Sequence, residues 1–189
     1  FERYGDVQAF ALNTVLRNKD TWYTSSSPIV ASMNSYVDTY DIYYLTVLVD
    51  LEGKVIAVND KDDSGNSIST QHIYDRNYKN SDWFQNVINK KFYISQQGNT
   101  GDSGFTGTAI TPLHIDDEVK QVYPSDTGMS VGFAAPVYDA DGNVFAVWNN
   151  YSKFSLVEEI FIDARQSLIG KGLGGTELTP VRSRWKYYY

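Results

Sequence analysis

His72 and His114 are the two histidines of the chain, forty-two positions apart. That separation has none of the short local spacing that metal ligands or paired acid–base groups use. Around them stands no Ser-His-Asp set in recognisable context, no phosphate-cradling glycine loop and no two-carboxylate constellation. Cysteine is absent, which removes disulfides, thiol nucleophiles and thiolate metal sites. "DKDDSGNSISTQ" (Asp60 to Gln71) opens like an EF-hand loop with Asp60, Asp62, Ser64 and Gly65. Its twelfth position is Gln71, where calcium would need a bidentate Glu, so a solvated loop is expected. The carboxylates of "HIDDE" and "VEE" read as exposed turn or helix faces. Neither turnover, metal nor cofactor is expected.

Side chains suited to gripping a small molecule are easier to find. "NYKNSDWF" offers Tyr78, Ser81, Trp83 and Phe84, with Arg76 just before it; "FYIS" offers Tyr93 and Ser95. "VFAVWNN" ends in Trp148, Asn149 and Asn150, an unusual finish for a plain strand. By strand alternation Val144, Ala146, Trp148 and Asn150 share one face, and Phe145, Val147, Asn149 and Tyr151 take the other. Each feature also has an ordinary packing explanation, since Trp83, Phe84, Val87 and Ile88 would bury themselves on any short helix.

The elements that must position these residues follow from periodicity. Phe1, Tyr4, Val7, Phe10, Ala11 and Thr14/Val15 recur every three or four positions, the stripe of an amphipathic helix. Ser27 as N-cap and Pro28 at the first helical position start a second helix, with Ile29, Met33, Tyr36, Val37 and Tyr40 on one face. "YYLTVLVD", a turn at "LEG" and "KVIAV" form a hairpin. A polar loop follows, then a short helix at "SDWFQNVINKK" capped by Asn80 or Ser81, then a strand at "FYIS". "TGTAIT", "EVKQVYP" and "MSVGFAAPVYD" read as strands, and "YDADGNVFAVWNN" completes a second hairpin. Its acidic corner and Val-x-Ala-Val repeat the earlier "VDLEGKVIAV", with Gly53 and Gly142 where a turn requires positive φ. Ser155 to Glu158 form a capping box for a last helix that stops in "GKGLGG". Hairpin strands with helices packed against one face make an α+β domain.

Composition agrees with one such domain. The chain has 189 residues, 42% hydrophobic and 15% aromatic, enough for one real core. No run approaches the length of a membrane span, and no stretch reads as a signal peptide. A net charge of −7 argues against nucleic acid, whose phosphates need basic patches. The abrupt start in helical rhythm reads as an excised fragment, with any anchor lying elsewhere.

The order of phrases over roughly residues 1–172 resembles the Cache family, the extracytoplasmic ligand-sensing domains of bacterial chemoreceptors and sensor kinases. A leading amphipathic helix, "LVDLEGKVIAV", "NYKNSDWFQNVI", "FYIS", "VGFAAPVYDADGNVFAVW" and a closing helix carry the resemblance. It implies a PAS-like antiparallel sheet with a long N-terminal helix and further helices packed on it. Residues 1–41 would be stalk helices, 42–152 the sheet with its pocket and 153–170 the C-terminal helix. Residues 173–189 would lead towards a second module or tail, although "RSRWKYYY" departs from the family pattern.

The resemblance also implies a ligand between the sheet and a cap built by "NYKNSDWF". Tyr78, Trp83 and Phe84 match a family pattern of Tyr, two residues, Arg, one residue, Trp, Tyr or Phe. Ser81 stands at the position of its carboxylate-gripping Arg, and Ser95 at the Asp of a Tyr-x-Asp that begins at Tyr93. Both charged ends of an amino-acid site are thus missing, which disfavours an ordinary α-amino acid. Arg76 or Lys79 could reach a carboxylate instead, and uncharged ligands stay open; Trp148 and Asn150 complete the candidate ligand contacts. The expected protein is a chemoreceptor sensor on the periplasmic side of the inner membrane, anchored by segments outside this chain and homodimeric. Its expected ligand is an organic acid, an amino-acid derivative or an amine. An extracellular carbohydrate-binding or adhesion module is the alternative, and a secreted hydrolase using His72 or His114 a third.

Overall fold

The computed structural model describes residues 2–92, 107–154 and 166, with side chains from residue 5 onward. By internal contacts, residues 1–153 form one unit and 154–189 a second. Tyr93, Ser95, the "FYIS" strand, nearly all of the expected C-terminal helix and the connection at 173–189 fall outside the described residues. Among the described residues no helix is long and apolar enough to cross a membrane.

The N-terminal stripe folds as expected in its described part. Val7 and Phe10 on α1 (Glu2–Phe10) and Ala11 just after it are buried. Two short 3-10 turns follow, capped by the Asn13 and Asn18 side chains, and the first buries Leu16. In α2 (Pro28–Tyr40) the Ser27 hydroxyl accepts the Ile29 N–H at 3.2 Å, and Ile29, Val30, Met33 and Val37 face inward. Capping, an initial Pro and a 3.6-residue stripe all favour the same helix.

Among the described residues five strands form one antiparallel sheet in the order β2-β1-β5-β4-β3. They are β1 (Tyr43–Asp50), β2 (Val55–Val58), β3 (Ala109–Ile115), β4 (Met129–Tyr138) and β5 (Val144–Lys153). The repeated phrase is a repeated hairpin corner. Asp50 Oδ1 accepts the N–H groups of Glu52 and Lys54, and Asp139 Oδ1 those of Asp141 and Asn143. Gly53 and Gly142 take φ values of 77° and 83°. The corners differ in what lies outside them: a Cβ on Gly53 would fall 2.2 Å from the Lys79 backbone nitrogen, whereas nothing lies within 4 Å of one on Gly142.

Helices cover both faces of the sheet, where packing on one face was expected. The even-numbered side chains of β5 meet α1 and α2: Trp148 lies 5.9 Å from the Phe10 ring and 6.1 Å from Tyr36. On the opposite face, Val147 and Tyr151 join Trp83, Phe84 and Val87 of α3 (Asp82–Ile88) in one core cluster. Two local expectations are corrected. Ile88 is exposed, because it lies past the buried turn of α3. "EVKQVYP" is not a strand: residues Asp117–Val122 form α4, capped by Asp116 Oδ1 accepting the Val119 N–H at 3.0 Å. Asp117 and Glu118 in its first turn favour the positive helix end, and Val119 alone is buried along it.

Candidate functional site

The corner at Gly53 sets the position of the cap. Tyr78 N–H donates to Gly53 O at 2.8 Å, Asn77 Nδ2 to Glu52 O at 2.9 Å, and Lys79 Nζ pairs with the Glu52 carboxylate. Glycine is needed here because the 77–79 backbone occupies the space of a side chain. The chain thus anchored turns directly into α3. Ser81 stands at the N-cap, yet its hydroxyl donates to Tyr78 O at 2.8 Å and caps no helical N–H. This stiffens the turn between Tyr78 and Trp83, whose rings lie 5.4 Å apart. Phe84 meets Trp83 edge-on at 6.1 Å. Tyr78, Trp83 and Phe84 are all buried and together, as their shared motif anticipates.

Beneath α3, the odd-numbered residues of β5 present Asn149 and Tyr151 from the sheet. Asn149 pairs in register with Ala134, and Tyr151 with Gly132. Ser130, on the same face of β4, lies opposite His114 of β3. Asn149 and Ser130 have 0% exposure, and neither amide atom of Asn149 nor the Ser130 hydroxyl has a hydrogen-bond partner. Tyr78 OH is likewise buried and unpartnered. The Asn149 amide lowers the Tyr151 phenol against the effect of burial, whereas Glu118 raises the Tyr78 phenol, but neither pair meets hydrogen-bond geometry. A buried polar group without a partner costs roughly 1–3 kcal/mol, so four such atoms from three residues on one face are an expensive arrangement for a core.

The α4 carboxylates close the site. Glu118 Oε1 receives Arg76 Nε at 3.0 Å; Glu118 Oε2 is buried, lies 3.7 Å from His72 Nε2 and makes no hydrogen bond. Asp116 Oδ2 is 3.3 Å from His114 Nε2, while His114 Nδ1 faces Pro112 O at 2.9 Å. With side chains only 14% and 15% exposed, Asp116 and Glu118 correct the expectation of a solvated "HIDDE" face. Burial pushes the Tyr78 phenol well above its usual range, and Glu118 and Asp116 add to the shift while Arg76 opposes it. Tyr151 is raised well above its ordinary value, by burial first and then by Tyr78, Asp116 and Glu118.

Of the sequence-nominated residues, Tyr78, Ser81, Trp83, Phe84 and Arg76 are therefore gathered on the cap side. Trp148 and Asn150 are not. They share a face as alternation requires, with Trp148 Nε1 donating to Asn150 Oδ1 at 2.7 Å, but that face packs on α1 and α2. The neighbour Asn149 takes the cap-side place. Sequence reasoning passed over Asn149, Tyr151, Ser130 and Glu118. Asn149 and Tyr151 were on the page as the alternate face of β5; Glu118 was hidden by reading α4 as a strand.

The Asp60–Gln71 loop spends its acids internally. Asp62 Oδ1 accepts the Ser64 and Asn66 N–H groups, and Asp60 Oδ1 accepts Asn34 Nδ2. Burial would raise the Asp62 carboxyl, but the Asn66 and Ser64 hydrogen bonds outweigh it and lower its pKa. Among the described residues no group of three or more His, Cys, Asp or Glu could hold a metal ion.

No family model and no curated protein matches the chain. Among solved structures it is similar to the sensor domain of the V. cholerae histidine kinase DctB, at TM-score 0.45 and 13% identity over 84% of this chain and 50% of that one. It is also similar to an extracellular ligand binding receptor from Desulfohalobium retbaense DSM5692, at TM-score 0.42 and 12% identity over 78% of this chain and 24% of that one. A third neighbour is the cofactor-binding GAF domain of the nutrient sensor CodY from Clostridium difficile, at TM-score 0.32 and 11% identity. The chain spans half the length of the first and about a quarter of the second. Such low identities and scores bear on neither ligand nor output.

Proposed function

We propose that this chain is the extracytoplasmic sensing domain of a membrane-anchored bacterial receptor, binding a small molecule between the sheet and the α3–α4 cap. The observation that carries this reading is the set of buried polar atoms of Asn149, Ser130, Tyr78 and Glu118 that have no hydrogen-bond partner. A core built only for stability would fill those positions with apolar side chains. Binding without turnover is supported by the state of the nearest candidate nucleophile. Ser130 lies opposite His114, but both ring nitrogens of His114 are turned to Pro112 and Asp116, so the hydroxyl has no base. A carbohydrate platform would need several exposed rings, and among the described residues Tyr23 is the single exposed aromatic.

Signalling in this reading is a shift between two cap positions that differ in ligand affinity. β5 connects the two sides of the sheet, with Asn149 and Tyr151 towards the ligand and Trp148 and Asn150 towards α1 and α2. The N-terminal helices then pass the shift to a membrane anchor outside this chain, within a homodimer, and chemotaxis is the favoured output. The test is a thermal-shift screen of amino acids, organic acids, amines and purines. A binder at a hundred times its Kd should stabilise the protein by about 2.7 kcal/mol. Tyr78→Phe, which removes one hydroxyl, should weaken that response. A screen with no responder, or an undiminished response in Tyr78→Phe, would sink the assignment.

A further inference from the structure

We infer that the cap opens at a seam between the 3-10 turn Gln71–Asp75 and α4, held by the carboxylate of Glu118, and that this seam admits the ligand. The inference rests on the sensing reading above and adds the way into its site. The borders of the cap are held by different forces. α3 packs on β3, β4 and β5, and its Trp83, Phe84 and Val87 are all part of the core cluster. Lifting α3 exposes these apolar side chains together, so this border is costly to open.

The other border joins two segments that are anchored separately. The Gln71–Asp75 turn packs on β2 and buries Ile73, and α4 buries Val119; both side chains belong to the core cluster. The link from one segment to the other is polar. Glu118 Oε1 takes Arg76 Nε, just beyond the turn, at 3.0 Å, and Glu118 Oε2 faces His72 Nε2, within it, at 3.7 Å. Polar groups that part can each take up water, and low-cost local openings follow such borders.

The clasp is also loosely made. Glu118 Oε2 and His72 Nε2 are both buried without a hydrogen-bond partner although they face each other. The bonded half is weak for a different reason: the Arg76 side chain is 50% exposed, and water competes for an ion pair so placed. Arg76 is the outer end of the clasp and Tyr78 its inner end. The Tyr78 phenol is buried without a partner, and after burial itself Glu118 is the first group that raises it. Parting Arg76 from Glu118 thus opens a line from solvent to Tyr78 and to Trp83, whose ring lies 5.4 Å from that of Tyr78.

The chain has no cysteine, so one introduced thiol reports the opening of one border. Ser130→Cys places it on the cap face of β4, and Ser152→Cys on the β5 face that meets α1 and α2; both serines are buried. Labelling by iodoacetamide in the ligand-free domain is followed by mass spectrometry. Glu118→Gln and Arg76→Gln should each speed labelling of the Ser130→Cys protein roughly two- to fivefold, the effect of losing a partly exposed ion pair. Neither should change labelling of the Ser152→Cys protein, and the double variant should be no faster than the faster single one. Asp117→Asn, an equal change of charge at an exposed position in the same turn, should leave both rates as they are. Native circular dichroism in every variant excludes simple unfolding. Equal acceleration at both positions means opening of the whole domain, and no acceleration at position 130 means another route; either result overturns the seam. So does a matching effect of Asp117→Asn. The sensing reading is judged separately by the ligand screen, so a responder there survives a failed seam.

Discussion

Replacing Asn149 and Asn150 separately by Val separates a side chain kept for a ligand from one kept for the fold. Both are fully buried in the centre of β5. Val is close to Asn in volume, and its branched Cβ suits a strand. Asn149 has two amide atoms without partners, each costing roughly 1–3 kcal/mol as a desolvated orphan. Removing them should stabilise the ligand-free domain by about 1–3 kcal/mol after some loss to imperfect packing. Asn150 differs in one bond: its Oδ1 accepts from Trp148 Nε1 at 2.7 Å, while its Nδ2 is unpartnered. Asn150→Val relieves one orphan but creates another at a buried indole N–H, so its net effect should be near zero or destabilising. The gap between the two variants should then be about 2 kcal/mol, or roughly 4–8 °C in Tm at this chain length. Urea unfolding followed by circular dichroism measures it, with an unchanged m-value as the check that neither variant alters the surface exposed. Asn149→Val should also lose ligand binding, whereas Asn150→Val should keep it. If Asn149→Val proves less stable than the parent by 1 kcal/mol or more, its amide has a partner and the argument for a ligand-facing polar floor collapses.

The two hairpin corners offer a second contrast. Gly53→Ala should be much more damaging than Gly142→Ala, since both have positive φ but only Gly53 faces the Lys79 backbone; about 1 kcal/mol for the φ term alone is expected at Gly142. Comparable melting temperatures for the two would show that the 77–79 segment yields easily. In alkaline titration at 295 nm, the chain's 15 tyrosines should divide into two groups. Tyr78 and Tyr151 have folded pKa values raised above the unfolded value, so their contribution to stability is whole below about pH 10 and is lost as pH rises through the folded values. Tyr23, pushed up to about 12 by burial and its bond to Asp50, should ionise late but nearer the surface tyrosines. A second absorbance step coinciding with loss of circular dichroism is expected; ionisation of every tyrosine near pH 10 with the fold intact would contradict it.

Elements with strong local signals were legible in advance. Ser27-Pro28 and the stripe from Ile29 to Val37 specify α2, and the acidic corners with Gly53 and Gly142 specify two hairpins, because caps and turns act over four or five residues. Tyr78, Trp83 and Phe84 were nominated together by their resemblance to a family motif, and their rings do lie side by side. α4 was misread because Val119 and Val122 sit in a six-residue segment, too short for periodicity to separate helix from strand. Its deciding signal was Asp116 as N-cap, which is visible only once the segment is allowed to be helical.

Alternation along β5 follows from the pleat, so the sequence alone determined that Trp148 and Asn150 oppose Asn149 and Tyr151. It also determined the acidic balance, the lack of cysteine and the need for a left-handed residue at Gly53. Which β5 face meets the cap was a tertiary decision. It depends on where α1, α2 and α3 pack, contacts made between residues far apart in the chain, and both faces of this strand are apolar enough to be buried. The structure gave Trp148 to the N-terminal helices and Asn149 to the cap, and it turned Glu118 from an apparent surface acid into a buried carboxylate. A polar side chain's role depends on whether a partner reaches it, and that is settled only when the elements have packed.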